Sequence, residues 1–380
     1  MSEKQEKRPC IVVVGGFLGS GKTTLILAAA RLLERRGLRS AIVLNAQGVE
    51  LVDTRHASMQ GVQAREVTGG CFCCRFSGLM MEIEALRAYS PDVIFTEPVG
   101  SCTDISATVL GPLKEEFDHY RVAPFTVLVD PARAAALLGD DADHDLAFLF
   151  EKQLQEADVV CISKADLYPD APGIPGVEVH HVSAVTGEGV AEWLDEILGG
   201  TLEPGRTILD IDYARYGEAE AALAWLNLSF VFEPASPITP ALVVGPFLDG
   251  LDRALTDAGI QIVHLKIFCS SAAGWLKAAI CASGEEPKVE GQLDASPANR
   301  HELLLNLRAK GNPDKVRRIV AGQILLLDGN ANDVRLDCFS PAPPKPERRV
   351  ARAPAITGVI SEVGSPSRSS TPVLESPVAL

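Results

Sequence analysis

An apolar run that passes directly into a glycine-rich loop constrains the fold of this chain more than any other feature. Residues 10–14 (CIVVV) show no polar alternation, which is typical of a strand buried on both faces. The loop GGFLGSGKTT follows, and then LILAAARLLERRG, which has helical spacing and ends at a glycine. A strand, a glycine loop and a helix in this order predict the first unit of a parallel α/β sheet.

The glycine loop has the spacing of a phosphate-binding P-loop. Gly16, Gly21, Lys22 and Thr23 satisfy the Walker A pattern between a strand and a helix, whereas a bare glycine turn would need only to pack the helix on the sheet. Lys22 is expected to reach the β- and γ-phosphates and Thr23 to ligate Mg²⁺. The residues expected to surround the phosphates are Gly16, Leu18, Gly19, Ser20, Gly21, Lys22, Thr23 and Thr24.

Four further apolar runs end in polar residues and are separated by helical stretches. They are residues 41–44, 93–96, 124–130 and 157–163. This alternation predicts a P-loop NTPase fold of the α/β class, with a mostly parallel sheet and helices on both faces. Ligands of such sheets bind beyond the carboxyl ends of the strands, where the motifs of this sequence lie.

The pattern changes after residue 205, which gives a predicted division into 1–205, 206–340 and 341–380. The second part is predicted to be a smaller α+β domain. Its predicted strands are 224–233, 260–270, 274–282 and 301–308, and its predicted helices are 239–257 and 313–327. From Pro341 the chain is rich in Pro, Ser, Arg and Val without periodicity, which predicts a disordered tail.

Composition excludes several classes of partner. A formal charge of −15 over 380 residues disfavours general binding to nucleic acid or to anionic lipid. No apolar stretch approaches the roughly 20 residues that would span a membrane, and the polar N-terminus lacks a signal region. A cytoplasmic location is expected, where the nine cysteines would stay reduced.

A second motif bears on the identity of the base. Ser163-Lys164-Ala165-Asp166 follows the fifth apolar run, in the place of the guanine motif Asn-Lys-x-Asp. The Asp166 carboxylate can accept from the ring N–H and the amino group of guanine, and Lys164 would lie along the base. Ser183 and Ala184 begin a loop suited to meet the guanine carbonyl. Together these residues favour GTP over ATP, which remains the alternative.

Acidic residues near the P-loop are candidates for the magnesium site. Glu97 ends the third apolar run and is expected to hold Mg²⁺, while the N–H of Gly100 would sense the γ-phosphate. Asp53 would reach the water shell of Mg²⁺, or is equally a solvated loop acid. The expected catalytic residues are Lys22, Thr23, Glu97 and Gly100, with no general base among them and slow intrinsic hydrolysis.

Three thiols within four residues predict a second site. Cys71, Cys73 and Cys74 could share Zn²⁺ or another soft ion such as Cu(I). The alternatives are buried small side chains or a redox-sensitive cluster. His180 and His181 are more typical of half-exposed strand residues than of ligands. The cysteines within apolar runs, Cys10, Cys161, Cys269 and Cys281, are expected in the core.

These residues together resemble the CobW-type GTPases, kin to the UreG and HypB nickel-insertion GTPases. The resemblance covers about residues 10–200 and rests on GGFLGSGKTT, the segment from Asn45 to Asp53, GGCFCC, EPVG, QLQEADVVCISKADL and SAVTGEGV. It implies GTP hydrolysis linked to metal delivery or to maturation of a metal or corrinoid enzyme. The implied partner is a client metalloenzyme or corrinoid protein, with a homodimer as a further possibility.

The chain also departs from that pattern. Ser163 replaces the usual Asn, neutral Ala46, Gln47 and Val49 replace residues that are usually acidic or aromatic, and the part after 205 lacks the basic, aromatic end expected of a relative. A GTP-gated module that binds a regulatory partner, with structural cysteines, is therefore the alternative function. A small-molecule kinase is a third, although no acceptor motif or arginine-rich lid supports it.

Overall fold

The computed structural model describes residues 8–46, 52–174 and 179–351. The first eight strands are β1 Cys10–Gly15, β2 Ser40–Ala46, β3 Gln63–Thr68, β4 Val93–Glu97, β5 Arg121–Val122, β6 Thr126–Val129, β7 Val159–Ile162 and β8 Val179–His181. The first eight helices are α1 Lys22–Arg35, α2 Val52–Met59, α3 Phe76–Leu86, α4 Gly111–Glu116, α5 Pro131–Leu137, α6 His144–Glu156, α7 Val190–Gly199 and α8 Tyr213–Ala221. A π-helical segment, Ser106–Leu110, precedes α4, and short 3₁₀ turns span Cys73–Arg75 and Arg87–Tyr89.

The first sheet confirms the predicted parallel α/β fold. Its strand order is β3-β2-β4-β1-β6-β7-β8, with β5 beside β1, and the paired strands run parallel. Helices cover both faces, so that Ile11 and Val13 of β1 enter one core while Val12 and Val14 enter the other. Burial on both faces explains why this strand carries no polar alternation.

The second sheet is antiparallel and belongs to the predicted α+β part. It comprises β9 Leu223–Pro234, β10 Gln261–Ser271, β11 Gly274–Ile280, β12 Lys288–Gly291, β13 His301–Lys310 and β14 Gly329–Phe339, with helices α9 Pro240–Asp257 and α10 Pro313–Ile324. The strand order is β12-β11-β10-β13-β9-β14. Without β11 and β12, this is the β-α-β-β-α-β arrangement of ferredoxin-like domains.

The two faces of the second sheet differ in what they contact. Along β10, Leu265 and Ile267 point into the apolar core formed with α9 and α10. His264 and Lys266, at the alternate positions, line cavities beside the P-loop of the first domain. The second sheet therefore covers the edge of the first sheet at which the parallel strands end.

The segment predicted as a structureless tail begins with residues that have defined contacts. The N–H of Glu347 donates to the Cys73 carbonyl at 2.9 Å, and the N–H of Val350 donates to the Ala107 carbonyl at 2.9 Å. Residues 341–351, the start of the predicted tail, thus carry backbone hydrogen bonds to the first domain, although no helix or strand is formed there. Residues 352–380 lie outside the described residues, and the domain boundaries at 205 and 340 stay predictions.

The described helices were compared with the length and hydropathy that a membrane span requires. Within those ranges no helix is both long and apolar enough to cross a bilayer.

Candidate nucleotide and thiol sites

The P-loop takes a conformation that its glycines make accessible. Gly16, Gly19 and Gly21 have φ values of 131°, 83° and 95°. Residues with a Cβ atom rarely adopt such values. At Gly16 a Cβ atom would lie 2.3 Å from the carbonyl oxygen of Leu128. The loop thus packs directly on the neighbouring strand β6 and turns its backbone toward the start of α1.

Lys22, Thr23 and Glu97 meet at the end of this loop. Lys22 Nζ donates to the Gly16 carbonyl at 2.8 Å, and Thr23 Oγ1 donates to Glu97 Oε2 at 2.8 Å. Burial lowers the pKa of Lys22 and raises that of Glu97, and the attraction between the two groups opposes both shifts. A hydroxyl and a carboxylate at hydrogen-bond distance are hard oxygen donors of the kind that Mg²⁺ takes, so the residues fit that ion.

Gly100 lies against the P-loop. A Cβ atom at this position would meet Leu18 Cδ2 at 2.8 Å and the Leu18 backbone nitrogen at 3.0 Å, so only glycine allows the approach. Gln153 on α6 fixes the loop from behind, since its Nε2 donates to the carbonyls of Gly100 at 3.0 Å and of Cys102 at 2.9 Å. The loop that follows β4 is therefore held at both of these positions.

The base motif forms a separate hydrogen-bonded group. Lys164, in the left-handed region with φ 59°, makes an ion pair with Asp130, and Ser183 Oγ donates to Asp166 Oδ1 at 2.6 Å. Lys164 lines the same cavity as Lys22, whereas Asp166 is exposed. Ala184 is half-buried beside Ser183.

Ser163 is the residue that departs from the guanine motif. Its hydroxyl is buried and finds no hydrogen-bond partner within the described part of the chain. The amide usual at this position would have more donors and acceptors to offer. The substitution thus leaves the backbone here without a side-chain brace from residue 163.

Asp53 is not a solvated loop acid. It lies in the first turn of α2, is 8% exposed, and accepts from Lys266 Nζ at 2.7 and 2.6 Å. Burial works against its charge, and Lys266 with Lys277 outweighs that effect, so that the pKa of Asp53 is lowered. Lys266 comes from the second domain and was missed by sequence reasoning, although the alternating HLKIF of β10 hinted at a polar face.

The three predicted thiols are brought together. The Sγ atoms of Cys71 and Cys73 are 2.8 Å apart, those of Cys73 and Cys74 are 3.6 Å apart, and all three lie within 4.8 Å of one another. Cys71 and Cys73 are buried, and Cys74 is half-buried. A 3₁₀ turn over Cys73–Arg75 creates this convergence, because it curls adjacent residues around one point.

A fourth thiol, Cys102, adjoins the cluster and was missed by sequence reasoning. Hydrogen bonds from the thiols of Cys102, Cys73 and Cys74 hold the pKa of Cys71 well below its usual value. The same contacts with Cys71 raise the pKa of Cys73 and of Cys102 well above theirs. Cys71 is thus the thiol of this group that loses its proton most easily, and the thiolate is the form that binds metal.

Two structural connections join the thiols to the nucleotide side. Asn45, at the end of β2, accepts from the Phe72 N–H at 2.8 Å and donates to the Gly70 carbonyl at 2.7 Å. It also lines a cavity with Lys22. In addition, the loop after β4 runs from Glu97 through Gly100 to Cys102, so one short segment reaches both sites.

Residues 341–351 form a strap over the thiols. The N–H of Lys345 donates to Cys74 Sγ at 3.1 Å, and Glu347 Oε2 accepts from the Ser77 N–H at 2.8 Å. Arg349 pairs with Asp104 at 2.8 Å. The strap thus covers one side of the cluster with backbone and charged groups.

The weaker sequence candidates lie elsewhere. His180 pairs with Glu196 at 2.8 Å on the half-exposed strand β8, as expected of a strand residue, and His181 follows it there. Cys10, Cys161 and Cys269 are buried in the cores. Cys281 is also buried, but its Sγ is 3.8 Å from the Gly19 carbonyl, so it touches the P-loop.

Comparison with known proteins gives consistent matches to the first domain. A model described as "CobW/HypB/UreG, nucleotide-binding domain" matches residues 10–181. Over 161 residues the chain is 31% identical to the zinc chaperone YeiR of Escherichia coli (strain K12), covering 40% of this chain and 46% of that protein. Over 191 residues it is 30% identical to the zinc chaperone CobW of Pseudomonas aeruginosa, covering 41% and 48%. The matches span about half the length of these relatives.

Solved structures are similar at lower identity. HypB from Helicobacter pylori in complex with nickel has 19% identity and a TM-score of 0.39, over 51% of this chain and 87% of that one. The Zn(II)-bound YjiA GTPase from E. coli has 14% identity and a TM-score of 0.33, over 83% and 98%.

Proposed function

We propose that the chain, whose residues 10–181 match the CobW/HypB/UreG nucleotide-binding domain, is a GTP-hydrolysing accessory protein that couples hydrolysis to handling of a metal ion. Zn²⁺ is the favoured cargo, because the curated relatives are named zinc chaperones. The recipient is a client metalloenzyme or corrinoid protein.

The nucleotide is assigned to the P-loop. Lys22 and the loop N–H groups would bind the β- and γ-phosphates, Thr23 and Glu97 would hold Mg²⁺, and Gly100 would face the γ-phosphate. When bound, Mg²⁺ screens the negative charge of the phosphates. The contact between Thr23 and Glu97 supports this assignment, because it gathers the two oxygen ligands at the start of α1.

The base is assigned to the group around Asp166. Its carboxylate, positioned by Ser183, would accept from guanine, and Lys164 would line the base. The unpartnered hydroxyl of Ser163 leaves this region less braced than the full motif would. We therefore propose a preference for GTP that is weaker than in a GTPase with Asn at this position.

The metal is assigned to Cys71, Cys73 and Cys74, with Cys102 as the fourth ligand. Four sulfur ligands suit the tetrahedral coordination of Zn²⁺. The depressed pKa of Cys71 supports the assignment, because a ligand thiol must be deprotonated. The remaining thiols would release their protons when the ion binds.

The observation that carries the coupling is the loop from Glu97 to Cys102. Its first residue contacts Thr23, its Gly100 packs on Leu18 of the P-loop, and the Cys102 thiol at its end is near enough to Cys71 to lower the pKa of that thiol. Movement of this loop with the γ-phosphate would change the sulfur geometry. By reciprocal linkage, the metal affinity would then differ between the GTP and GDP states.

Equilibrium titration of Zn²⁺, Co²⁺ and Ni²⁺ tests the coupling. The full chain is held with GDP or with a non-hydrolysable GTP analogue, and the Cys71→Ser/Cys73→Ser/Cys74→Ser variant is measured in parallel. Cys338→Ser is the matched control, because this buried cysteine bonds to the Pro313 carbonyl in the second domain. We expect one thiolate-dependent site whose affinity changes with the nucleotide and survives in the control.

The other outcomes separate the alternatives. Equal affinities in the two states would refute the coupling, and the absence of any site would leave a GTP-gated docking protein with structural cysteines. Phosphate release from GTP without an added acceptor tests hydrolysis itself. Turnover that requires an acceptor would instead indicate a kinase.

A further inference from the structure

The second domain presents a group of cations to the P-loop. They stand on one face of the antiparallel sheet, on three neighbouring strands and at its edge. The residues are Lys266 on β10, Lys277 on β11, Lys288 on β12 and Arg308 on β13. His264, on the same face of β10, adds no charge, because burial holds its pKa well below its usual value. They line cavities that also contain Lys22 and Glu97.

Lys266 is the cation with the most direct relation to the nucleotide side. Its side chain is 17% exposed and lines both cavities, one with Gly100 and the other with Thr23. Its ammonium donates to both oxygens of Asp53 on α2. The helix is further tied to the second sheet, since the Val52 N–H donates to Asn306 Oδ1 at 2.9 Å.

Arg308 stands beside it without a carboxylate. Its Nη1 donates to the Leu226 carbonyl at 3.1 Å, and its guanidinium lies 3.9 Å from the centre of the Trp225 ring. Within the described ranges Arg308 is in no ion pair, although its exposure is only 6%. Burial lowers the pKa of Arg308 to about 9, and the charge of Asp53 opposes that shift. The charge of Arg308 is thus buried against dipoles and an aromatic face.

Lys22, Lys277 and Arg308 are buried, Lys266 is half-buried and Lys288 is exposed. Holding buried cations this close together is costly unless anions join them. The described carboxylates that line the two cavities are Asp53, Glu97 and Glu290, against five Lys and Arg side chains besides Lys164, which is paired with Asp130. The chain as a whole carries a charge of −15, so this excess of positive charge runs against its composition. A polyphosphate would compensate it.

We propose that Lys266, with Arg308 behind it, is a phosphate-binding cation that the second domain supplies in cis to the triphosphate at the P-loop. The triphosphate competes with Asp53 for the ammonium group of Lys266. Nucleotide binding therefore changes the contacts of β10, and so of the second domain, directly. This inference rests on the proposed GTPase function and adds a residue from outside the family-matched segment.

Lys266 would act on charge during hydrolysis. The oxygen of a water molecule bonds to the γ-phosphorus, the bond to the β–γ bridging oxygen breaks, and GDP and phosphate leave with the water's protons distributed between phosphate and solvent. A cation beside these oxygens stabilises the charge that develops as the bond breaks.

The test compares Lys266→Met with the full wild-type chain. Affinities for GDP and for a non-hydrolysable GTP analogue are measured at equilibrium, and hydrolysis is measured in a single turnover. We expect the analogue affinity and the rate each to fall on the order of tenfold, and GDP affinity to change less than about threefold. Lys266→Arg should retain most of both.

Lys310→Met is the matched control. Lys310 lies on the same sheet and crosses the domain interface to Asp143 and Asp145, but it lines neither cavity. It should leave both affinities and the rate at wild-type values. Equal losses in Lys310→Met and Lys266→Met would overturn the proposal, because they would reflect the interface alone.

A double variant separates phosphate binding from neutralisation of Asp53. If Lys266 only neutralises the charge of Asp53, then Asp53→Asn/Lys266→Met should regain wild-type affinity for the GTP analogue, and this result would overturn the proposal. If the double variant keeps the reduced affinity of Lys266→Met, the proposal is supported. Wild-type chain that binds neither guanine nucleotide would refute the proposed function itself. Wild-type binding with an unchanged Lys266→Met would refute this inference alone.

Discussion

Asn45 Oδ1 accepts a hydrogen bond from the Phe72 N–H at 2.8 Å, and this contact fixes the thiol loop to the end of β2. The same side chain donates to the Gly70 carbonyl on the other side of the loop. A shift at the end of β2 is therefore passed to Cys71 and Cys73 through one amide group.

Replacing this amide should uncouple the two sites. In Asn45→Ala the buried Phe72 N–H loses its acceptor, and we expect the free energy of unfolding to fall by about 1–3 kcal/mol. The difference in Zn²⁺ affinity between the GTP-analogue and GDP states should shrink. Chelator competition in both states measures the difference, and denaturant unfolding measures the stability.

Asn312→Ala is the control for this prediction. Asn312 caps α10 by accepting from the Lys315 N–H at 3.1 Å, so its loss should cost about 1 kcal/mol without touching either site. If this variant reduces the nucleotide dependence as much as Asn45→Ala does, the role assigned to Asn45 is wrong.

The absorption spectrum of the Co²⁺-loaded protein should show that Cys102 is a metal ligand. We expect Cys102→Ser to weaken Zn²⁺ binding roughly 10- to 100-fold. In the Co²⁺-loaded protein, the thiolate-to-cobalt charge-transfer absorbance should fall by about the contribution of one thiolate ligand. Cys269→Ser, at a buried thiol of the second core, should change neither quantity. An undiminished cobalt band in Cys102→Ser would exclude Cys102 from the coordination sphere.

The strap should control access to Cys74. Glu347→Ala removes the acceptor of the Ser77 N–H, and we expect alkylation of Cys74 in the metal-free chain to become about fivefold faster, which corresponds to about 1 kcal/mol. Peptide mass spectrometry after timed iodoacetamide treatment measures the rate. Glu115→Ala, at an exposed position on α4, is the control, and equal rates in the two variants would contradict this role of the strap.

One buried carboxyl should make stability depend on pH. Burial raises the pKa of Glu156 to about 8, where Thr103 Oγ1 donates to it at 3.1 Å and the Ser106 N–H at 3.0 Å. An exposed glutamate titrates near pKa ~4.3, so the folded chain keeps a proton that the unfolded chain releases. The stability contributed by this protonated group is present below the unfolded pKa and is lost as pH rises through about 8.

Glu156→Gln should remove that part of the pH dependence. The amide resembles the protonated acid, so we expect the fall in the free energy of unfolding between about pH 5 and about pH 8 to be smaller than in the wild type. Denaturant unfolding at several pH values measures this. Glu151→Gln, at an exposed position of the same helix, should keep the wild-type slope, and an unchanged slope in Glu156→Gln would refute the assignment.

Local sequence pattern predicted the elements that are buried on both faces. The run at 10–14 became β1, Cys10–Gly15, and the second-domain runs gave β9, β10, β11 and β13 near their predicted positions. The strands that were missed include β3, β12 and β14, which are largely exposed edge strands whose polar residues leave no apolar signature. Edge strands are specified by pairing with a neighbour, which a single segment does not reveal.

The same distinction separates the site residues that were foreseen from those that were not. The P-loop, Glu97 and the thiols at 71–74 are contiguous motifs, so their chemistry is visible in short segments. Lys266 is 213 residues from Asp53, and its alternation along β10 is equally typical of a strand with one solvated face. Only the packing of the two domains turns that face toward the P-loop.

The second sheet is hydrogen-bonded across six strands and backed by α9 and α10, so it resists local bending. If the second domain moves to admit the nucleotide to the P-loop, it must move as one body and break contacts such as Arg133 to the Val263 carbonyl and Lys310 to Asp143. We expect product release to be the slow step of turnover. Its rate should rise with ionic strength, because salt weakens the ion pairs that keep the domains together.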